Sequence, residues 1–415
     1  MRKTALSFIL LLCLTYVTIA QVQPPAIYRI GLVLPFQTYT TANRIEEFRT
    51  AHDVVSAHKI KINEDAIASL DFYEGFMQSL ESRNDSFQIE VYAYDCWNSD
   101  SVTKAILKKP ELKTMDVIIG GMNTATAKTV ADFCKQNKII NLQPFSPSKS
   151  LTSDNPYHIK LAPTIDSHVD NMYLSIVDSF PGANIIIYTS NQTQDKSVAA
   201  RFDSLFKDYN KTATTRFTSV LLNTSTMMVN GKKTTASEQL KAGKKNVWII
   251  TSFEESFVNG NFRVLYSLRD KYDIVAYGMP TWLNGDILRL DYVNDYQTRI
   301  SDPFYVDTLQ AQTRDFIAAY AGLYNHNPSR EAYLGYDVAN FLMDAVTQNG
   351  KDFVAGIATQ RYRGTGYTFD IAKNYNRNAS TLPAALSETV APVNFYENRH
   401  VNIYRVVDYQ LRRVF

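Results

Sequence analysis

Cysteine is scarce in this sequence, with 3 in 415 residues. Two of them, Cys96 and Cys134, lie beyond the N-terminal segment, which is too few for a disulfide scaffold but enough for one bridge in an oxidising compartment. Cys96 follows a predicted strand, whereas Cys134 lies in a predicted helix, roughly 15 Å along its axis from the first turn. Because a disulfide needs Cα atoms within about 7 Å of each other, we favour two buried free thiols.

The sequence also lacks an excess of charge of either sign. It has 43 Lys and Arg against 41 Asp and Glu, for a net charge of +2, and the two signs are interspersed. We therefore expect no nucleic-acid partner. Beyond the N-terminal segment, no apolar run approaches the roughly 20 residues that a membrane helix needs, so no membrane span is predicted.

The signatures of common enzymes and metal sites are missing as well. Residues 146–149 spell S-x-x-K and residues 153–155 spell S-D-N, two elements of serine β-lactamases. In those enzymes the elements converge from distant segments, whereas here they are almost adjacent, and Lys233 to Thr235 lacks the glycine of the third element. The six histidines are scattered rather than spaced as a metal pair. We expect no catalytic residue, cofactor or metal.

The N-terminus has the pattern of a signal peptide over residues 1–20. Arg2 and Lys3 precede an apolar run from Ala5 to Val17, and Thr18 to Ala20 form a small-residue cleavage site. Leucines rather than small residues precede Cys13, which argues against lipidation. We predict cleavage near Ala20 and export to the periplasm. The remaining chain is longer than one hydrophobic core usually serves, which suggests two lobes.

Strand and helix patterns alternate along the mature chain, as in parallel α/β folds. The predicted strands cover residues 28–36, 87–94, 116–120, 138–142, 183–188, 218–222, 246–251, 274–277, 366–369 and 401–407. The predicted helices cover residues 66–82, 102–107, 198–209, 309–324 and 333–346, with an amphipathic helix after the strand at 116–120. Segments 158–165 and 303–306 are read as crossovers between two such series.

Polar residues follow several of these strands. In the first series these are Asn123 and Thr124, then Ser146 and Ser148; in the second they are Thr189, Ser190 and Ser252. Open parallel sheets bind ligands outside the carboxyl ends of their strands, so this pattern predicts a small-molecule cleft. Asn123 and Thr124 are also suited to capping the following helix, and capping and binding are compatible.

Four stretches together resemble one known family: residues 29–36, 116–121, 146–152 and 333–338. In order and spacing they resemble the type I periplasmic binding proteins of the branched-chain amino-acid-binding and receptor-ligand-binding group. The resemblance implies an α/β fold of two Rossmann-like lobes with parallel-rich sheets, joined by three hinge crossovers and closing on a ligand. We expect residues 27–162 plus 303–358 to form the N-terminal lobe, and residues 163–302 plus 359–415 the C-terminal lobe.

The resemblance transfers the family's ligand groups only in part. It implies that Thr124, beside Asn123, supplies a hydroxyl, and that Ser146 and Ser148 form the next binding loop, where Pro147 removes one amide donor. Amino-acid binders of this group have a carboxylate after the strand that matches residues 274–277. Residues 278–282 contain no acid here, which weakens the assignment of an amino-acid ligand. Trp282 suits an apolar, aromatic or sugar-like ligand, or packs in the core.

Two further features keep alternatives open. The family's bridge from the position of Cys96 to the polar turn is lost, because Asn123 occupies the turn. The insertion at residues 37–65 is far longer than an ordinary strand-to-helix loop, and it is either a solvated surface segment or a lid over the cleft.

The leading hypothesis is an exported solute-binding protein that closes on a small polar, amino-acid-like ligand for an ABC permease or a sensor. The alternative is a binding-protein fold reused as a cell-envelope interaction module, such as a regulator of peptidoglycan synthesis, with no transported ligand. An enzyme is the least favoured class. The sequence leaves open the identity of the ligand and whether the chain is a monomer or a dimer.

Overall fold

The computed structural model describes residues 26–50, 62–152, 154–223, 228–229, 232–235, 237–283, 290–359, 361–375 and 393–415. The predicted signal peptide, Ser153 and the central part of the 37–65 insertion lie outside these residues. No helix in the described part of the chain is long and apolar enough to cross a membrane.

The described strands, numbered in chain order, are β1 (Ile27–Leu34), β2 (Gln88–Asp95), β3 (Val117–Gly120), β4 (Ile140–Gln143), β5 (His158–Lys160), β6 (Asn184–Thr189), β7 (Thr218–Asn223), β8 (Met228–Val229), β9 (Lys232–Lys233), β10 (Lys245–Ile250), β11 (Asp273–Gly278), β12 (Arg299–Asp302), β13 (Arg361–Arg363), β14 (Thr368–Tyr375), β15 (Val393–Asn398), β16 (Asn402–Val407) and β17 (Gln410–Arg413). The described α-helices are α1 (Thr38–Thr50), α2 (Glu64–Glu81), α3 (Asp100–Ile106), α4 (Thr124–Asn137), α5 (Ile165–Ser179), α6 (Thr193–Thr212), α7 (Glu255–Tyr266), α8 (Leu290–Asp295), α9 (Ala311–Tyr324), α10 (Arg330–Asn349) and α11 (Phe353–Gly356).

Two large sheets organise these elements. The first has the strand order β13-β14-β15-β5-β4-β3-β1-β2, and the second has the order β17-β16-β12-β11-β10-β6-β7. Strands β1 to β5 are parallel, as are β6, β7 and β10 to β12. At one end of each sheet, β13 and β14, and β16 and β17, are antiparallel to their neighbours. The predicted α/β class with parallel-rich sheets is confirmed.

Helices cover both faces of the first sheet, which explains why β1 is a continuous apolar run rather than an alternating one. Leu32 and Leu34 pack with Phe72 of α2 and Val338 of α10 on one face. Val33 points to the other face, where it packs with Cys96 and Cys134. A strand buried on both faces needs apolar side chains at every position.

Both of these cysteines are buried free thiols, as expected. Burial in this apolar cluster raises the pKa of both thiols, so neither is an activated nucleophile.

Helices α2 and α10 cross in close contact because a glycine from each faces the other's backbone. A Cβ at Gly75 would lie 2.0 Å from the carbonyl oxygen of Ala332, and one at Gly335 would lie 2.0 Å from that of Phe72. No larger side chain fits at either position without separating the helices. This contact fixes the start of α10, and with it the residues that α10 presents at the cleft.

Three crossovers join the two sheets, at residues 161–164, 303–310 and 399–401. Side chains link the crossovers to one another: Glu397 accepts hydrogen bonds from the Thr164 amide at 3.3 Å and from the Ser167 hydroxyl at 3.4 Å. The Asn402 amide group donates to the Asp302 carbonyl at 3.2 Å. The resemblance implied the third crossover, and the predicted lobe boundaries placed it between residues 358 and 359.

The predicted boundary at residue 359 is wrong for the segment up to Asn398. Strands β13, β14 and β15 belong to the first sheet, and β15 pairs with β5 through Tyr396 opposite Ile159. Only β16 and β17 return to the second sheet. Sheet membership depends on which edge a strand pairs with in space, and a local apolar pattern contains no information about that partner.

The insertion begins as a helix rather than a loop. Asp95 at the end of β2 accepts hydrogen bonds from the amides of Gln37 and Thr38, at 2.9 and 2.7 Å, and so holds the start of α1. Most residues of α1 are exposed. Residues 51–61 lie outside the described part, so the choice between a lid and a surface segment stays a prediction.

Candidate functional site

A cavity of about 570 Å³ lies between the two lobes. The first lobe contributes residues after β3 and β4 and at the start of α2 and α10, the second lobe contributes residues after β10 and β11, and two crossovers form its floor. The lining residues are Asp65, Asn98, Met122, Asn123, Pro144, Phe145, Pro147, Leu161, Ala162, Pro163, Ile165, His168, Gln194, Phe253, Pro280, Thr281, Asp302, Pro303, Arg330, Glu331, Leu334 and Tyr367. We call this cavity the interlobe cleft.

Asn123 lies in the cleft, but its polar atoms are already engaged. Its side-chain oxygen accepts the Thr126 amide at 2.9 Å and so caps α4. Its amide nitrogen donates to the Asn98 side chain at 2.7 Å. Thr124 is exposed as the first residue of α4 and does not line the cleft. The sequence suggested both Asn123 and Thr124 as helix caps, and Asn123 is the residue that caps α4.

The polar groups of the loop after β4 are also hydrogen-bonded within the protein. The Gln143 side-chain oxygen accepts the amides of Phe145 and Ser146, at 2.8 and 3.2 Å. Ser146 is buried, and its hydroxyl accepts the Ser148 amide at 3.4 Å. The buried Lys160 ammonium donates to the Ser148 carbonyl. Phe145 and Pro147 face the cleft, whereas Ser146 and Ser148 do not line it.

The S-x-x-K sequence does not bring its serine and lysine together as nucleophile and base. The Lys149 ammonium lies 2.5 Å from the Asp166 carboxylate, and the Ser146 hydroxyl bonds within its own loop. This geometry matches the expectation that the motif is coincidental.

The second-lobe residues predicted for the site lie behind the cleft surface. Thr189 and Ser190 are buried, and the Ser190 hydroxyl donates to Asp195 at 2.5 Å. Ser252 is buried, and its hydroxyl accepts the Glu254 amide at 3.1 Å. Their hydroxyls thus hold the loops at the starts of α6 and α7, while Gln194 and Phe253 face the cleft instead.

Trp282 packs in the second core rather than lining the cleft. Its side chain is 1% exposed, its ring meets Phe262 edge-on at 5.9 Å, and its indole nitrogen donates to the Ser252 carbonyl at 3.0 Å. Trp282 therefore packs in the core of the second lobe, which is the second of the two roles predicted for it.

An ion pair between the lobes lies in the cleft and was not anticipated. Arg330, at the start of α10, binds both carboxylate oxygens of Asp302, the last residue of β12, with one bond of 2.9 Å. The same guanidinium donates to the Tyr367 hydroxyl at 3.1 Å and lies 5.1 Å from the centre of the Phe304 ring. The bidentate geometry joins the first lobe to the end of a second-lobe strand.

Two further carboxylates line the cleft without a cationic partner among the described residues. Asp65 accepts one hydrogen bond from Asn98 at 2.7 Å, and Glu331 follows Arg330 on α10. His168 adds no positive charge, because burial, followed by the nearby charge of Arg330, lowers its pKa to about 3. With Asp302 neutralised by Arg330, the cleft retains an excess of negative charge.

The sequence contained weak signals for these missed residues. Arg330 and Glu331 follow Ser329, which caps α10 through a hydrogen bond to Ala332 at 3.2 Å, just before the stretch that resembles the family. Asp302 directly precedes Pro303 at a predicted crossover. Because the sequence did not predict strand β12, Asp302 was not recognised as a residue at the end of a strand, and its place in the cleft could not be inferred.

This geometry is that of a two-lobed, hinged protein with a ligand-sized cavity between its lobes. Residues 74–385 match the family model described as periplasmic binding protein, and the chain belongs to that family. No curated protein sequence matches the chain.

Solved structures share the fold at low sequence identity. A branched-chain amino acid transporter protein of Rhodopseudomonas palustris has a TM-score of 0.60 at 12% identity, covering 93% of this chain and 95% of that one. A branched-chain amino acid periplasmic ligand-binding protein of Burkholderia xenovorans has a TM-score of 0.57 at 12% identity, covering 94% of each chain. A substrate-binding protein of Desulfitobacterium hafniense, solved with Leu, has a TM-score of 0.54 at 13% identity, covering 94% and 100%.

Proposed function

We propose that this protein is an exported solute-binding protein whose lobes close on a small ligand that carries an ammonium group and an apolar portion. The observation that carries the proposal is the interlobe cleft, where two carboxylates have no salt-bridge partner among the described residues. Its volume of about 570 Å³ falls in the range of small-molecule sites. Delivery to an ABC permease or a sensor is the role that the family suggests.

Charge supports the ammonium group. Asp65 and Glu331 come from two helices of the first lobe and approach the cleft without a salt-bridge partner among the described residues. An ammonium group bound near both residues would form charge-assisted hydrogen bonds with their carboxylates. These acids take the place of the carboxylate that the sequence lacks after β11.

The apolar part of the lining supports a ligand with a hydrocarbon or aromatic portion. It includes Met122, Phe145, Leu161, Phe253 and Leu334, drawn from both lobes. Closing the lobes on an apolar group would remove it from water on two sides. The Desulfitobacterium relative was solved with Leu, which has both an ammonium group and an apolar side chain.

One observation favours the alternative of an envelope interaction module without a transported ligand. The groups expected to bind a ligand carboxylate are engaged elsewhere: Gln143 takes the amides after β4, and Asn123 caps α4. A ligand carboxylate therefore has fewer free donors here than the family pattern implies. The two readings differ in whether a small molecule stabilises the protein.

A thermal-shift and calorimetry screen on the mature protein separates them. The screen uses branched-chain and aromatic amino acids, their decarboxylated amines, neutral sugars and cell-wall fragments. A ligand at a hundredfold excess over its dissociation constant stabilises by about 2.7 kcal/mol. We expect an amino acid or amine to bind. Absence of binding across the panel, with no closure in small-angle scattering, would favour the interaction module.

Variants of the two acids test the site itself. Glu331→Gln and Asp65→Asn should each weaken binding of the amine or amino acid about tenfold or more, because each removes a charge-assisted hydrogen bond. Glu64→Gln is the matched control, since Glu64 shares the first turn of α2 with Asp65 but does not line the cleft. Equal effects from Glu64→Gln would point to diffuse electrostatics instead of a defined contact.

Export is tested separately. We infer a signal peptide at residues 1–20, so the protein recovered from the envelope fraction should begin at Gln21. N-terminal sequencing or intact-mass measurement checks this. A mature protein that retains the leader would contradict export by cleavage.

A further inference from the structure

A second cavity, of about 140 Å³, borders the second and third crossovers. The edge of the first sheet, the crossovers and the last strands of the second sheet all contribute to it. Its lining residues are Tyr305, Asp307, Gln310, Arg361, Arg363, Gly364, Gly366, Thr368, His400, Asn402 and Arg413. We call it the arginine pocket.

Three guanidinium groups face this small space against a single carboxylate. Asp307 already accepts the Leu309 amide at 3.1 Å and the Gln310 side chain at 3.2 Å. Arginines elsewhere are bridged, as Arg83 and Arg201 are to aspartates at 2.7 and 2.5 Å. Within the described residues, none of the three pocket arginines has a carboxylate within 4.0 Å.

Most guanidinium N–H donors of the three pocket arginines have no hydrogen-bond partner among the described residues. Among the described residues, Arg363 donates no hydrogen bond to protein, although a guanidinium has five N–H donors. Arg361 donates once, to His400 Nδ1 at 2.7 Å. Arg413 makes a long bond of 3.5 Å to Asn402 and stacks 4.0 Å from the centre of the Tyr305 ring.

Several other polar groups of the pocket are already engaged or uncharged. His400 is neutral at pH 7, because burial, followed by the charge of Arg361, lowers its pKa to about 4. The amides of Gly364 and Gly366 donate to the Tyr367 carbonyl and to Asp337, each at 2.8 Å. The charged donors that have no partner among the described residues therefore belong to the guanidinium groups, which bind only acceptors.

We propose that the arginine pocket binds a single oxyanion group of phosphate or sulfate size. The three arginines are exposed, so solvent and salt partly screen the repulsion between their guanidinium groups, and an anion bound among them would remove what is left of it. Their planar forks match the oxygens of phosphate and sulfate. The volume of about 140 Å³ is below that of sites for drug-sized ligands, which favours a small oxyanion over a nucleotide.

Calorimetry on the mature protein, with inorganic phosphate and with sulfate at constant ionic strength, tests this proposal. Glycerol phosphate and vesicles of anionic phospholipid are added as separate arms to distinguish a free ion from a lipid headgroup. We expect saturable, one-to-one binding of phosphate or sulfate. No saturable binding, or binding to vesicles alone, would overturn the proposal.

The variant Arg363→Gln should weaken oxyanion binding about tenfold or more, because it removes one charged fork. Arg412→Gln is the matched control: Arg412 is the neighbour of Arg413 on β17, pairs with Asp408 at 3.7 Å and does not line the pocket. We expect this control to leave the affinity nearly unchanged.

Equal weakening by the control would show general attraction to a basic surface and would reject the site. Arg413→Gln provides a second pocket variant if Arg363→Gln lowers the melting temperature. Binding of the cleft ligand is measured in each variant, so that failure here is distinguishable from failure of the proposed cleft.

Discussion

The interlobe cleft and the arginine pocket border the same hinge but carry opposite charge. The cleft has two carboxylates without a cationic partner among the described residues, whereas the pocket has three guanidinium groups against one carboxylate. Both include residues of the loop between β13 and β14: Tyr367 lines the cleft, and Gly364 and Gly366 line the pocket. One short loop therefore contributes to two sites of different chemistry, and its support is critical to both.

The largest expected effect comes from removing that support. The buried Asp337 carboxylate accepts the amides of Thr365, Gly366 and Tyr367 at 2.7 to 2.8 Å, together with the Thr365 hydroxyl at 2.9 Å. Asp337→Asn places an amide N–H₂ group against these donors. We expect a loss of about 3 to 5 kcal/mol in the free energy of unfolding, measured by chemical denaturation.

The matched control for this variant is Asp344→Asn, two turns further along α10, where the carboxylate is 46% exposed and pairs with Arg83. Because that pair is partly solvated, we expect a loss below about 1 kcal/mol. Similar losses in both variants would contradict a special role for Asp337. Burial raises the pKa of Asp337 to about 6, so the carboxylate is ionised at pH 7.

A smaller effect is expected from pH. Burial lowers the pKa of His168, in the cleft, and of His158, in the first lobe, to about 3 each. The unfolded chain binds protons below about pH 6.5 while the folded state does not, so the stabilisation is present above that pH and is lost as pH falls towards 3.

For these two groups the loss between pH 7 and pH 5.5 is about 2 to 3 kcal/mol in the free energy of unfolding. Denaturation curves at the two pH values measure it. His168→Gln should remove about half of this two-histidine contribution; if the slope stays unchanged, His168 is not one of its sources.

The smallest effect on stability, but a specific one on geometry, is expected from Arg330→Gln. It removes the ion pair with Asp302 between the lobes and costs about 1 kcal/mol, since the Arg330 side chain is 37% exposed. Small-angle scattering should show a broader distribution of lobe arrangements. A scattering profile identical to that of the unmodified protein would mean that the ion pair does not hold the lobes.

Arg201→Gln is the matched control for this change. Arg201 makes a comparable bidentate pair with Asp170, with the arginine 36% exposed, but both residues belong to the second lobe. We expect a similar loss of stability with no change in scattering. This contrast separates the energy of an ion pair from its role between the lobes.

Local patterns in the chain were sufficient to predict most of the elements. Most predicted elements begin and end close to the predicted positions, because buried apolar runs and helical periodicity are local properties. These are strands β1 to β4, β6, β7, β10, β11 and β16, and helices α2, α3, α9 and α10, whereas α6 begins at Thr193, before the predicted start at residue 198. The fold class and the family follow from their order. The crossovers predicted at residues 158–165 and 303–306 overlap the observed ones, although residues 158–160 form β5.

The sequence alone was a poor guide to the side chains of the cleft. Serine, threonine and asparagine after a strand serve a ligand or the chain's own backbone equally well, and Ser190, Ser252 and Asn123 bond within the fold. The pairing of Arg330 with Asp302 joins residues 28 positions apart, which no local pattern predicts. Tertiary structure decided these contacts because they depend on which strand edges and loops meet in space, as the placement of β13 to β15 in the first sheet also does.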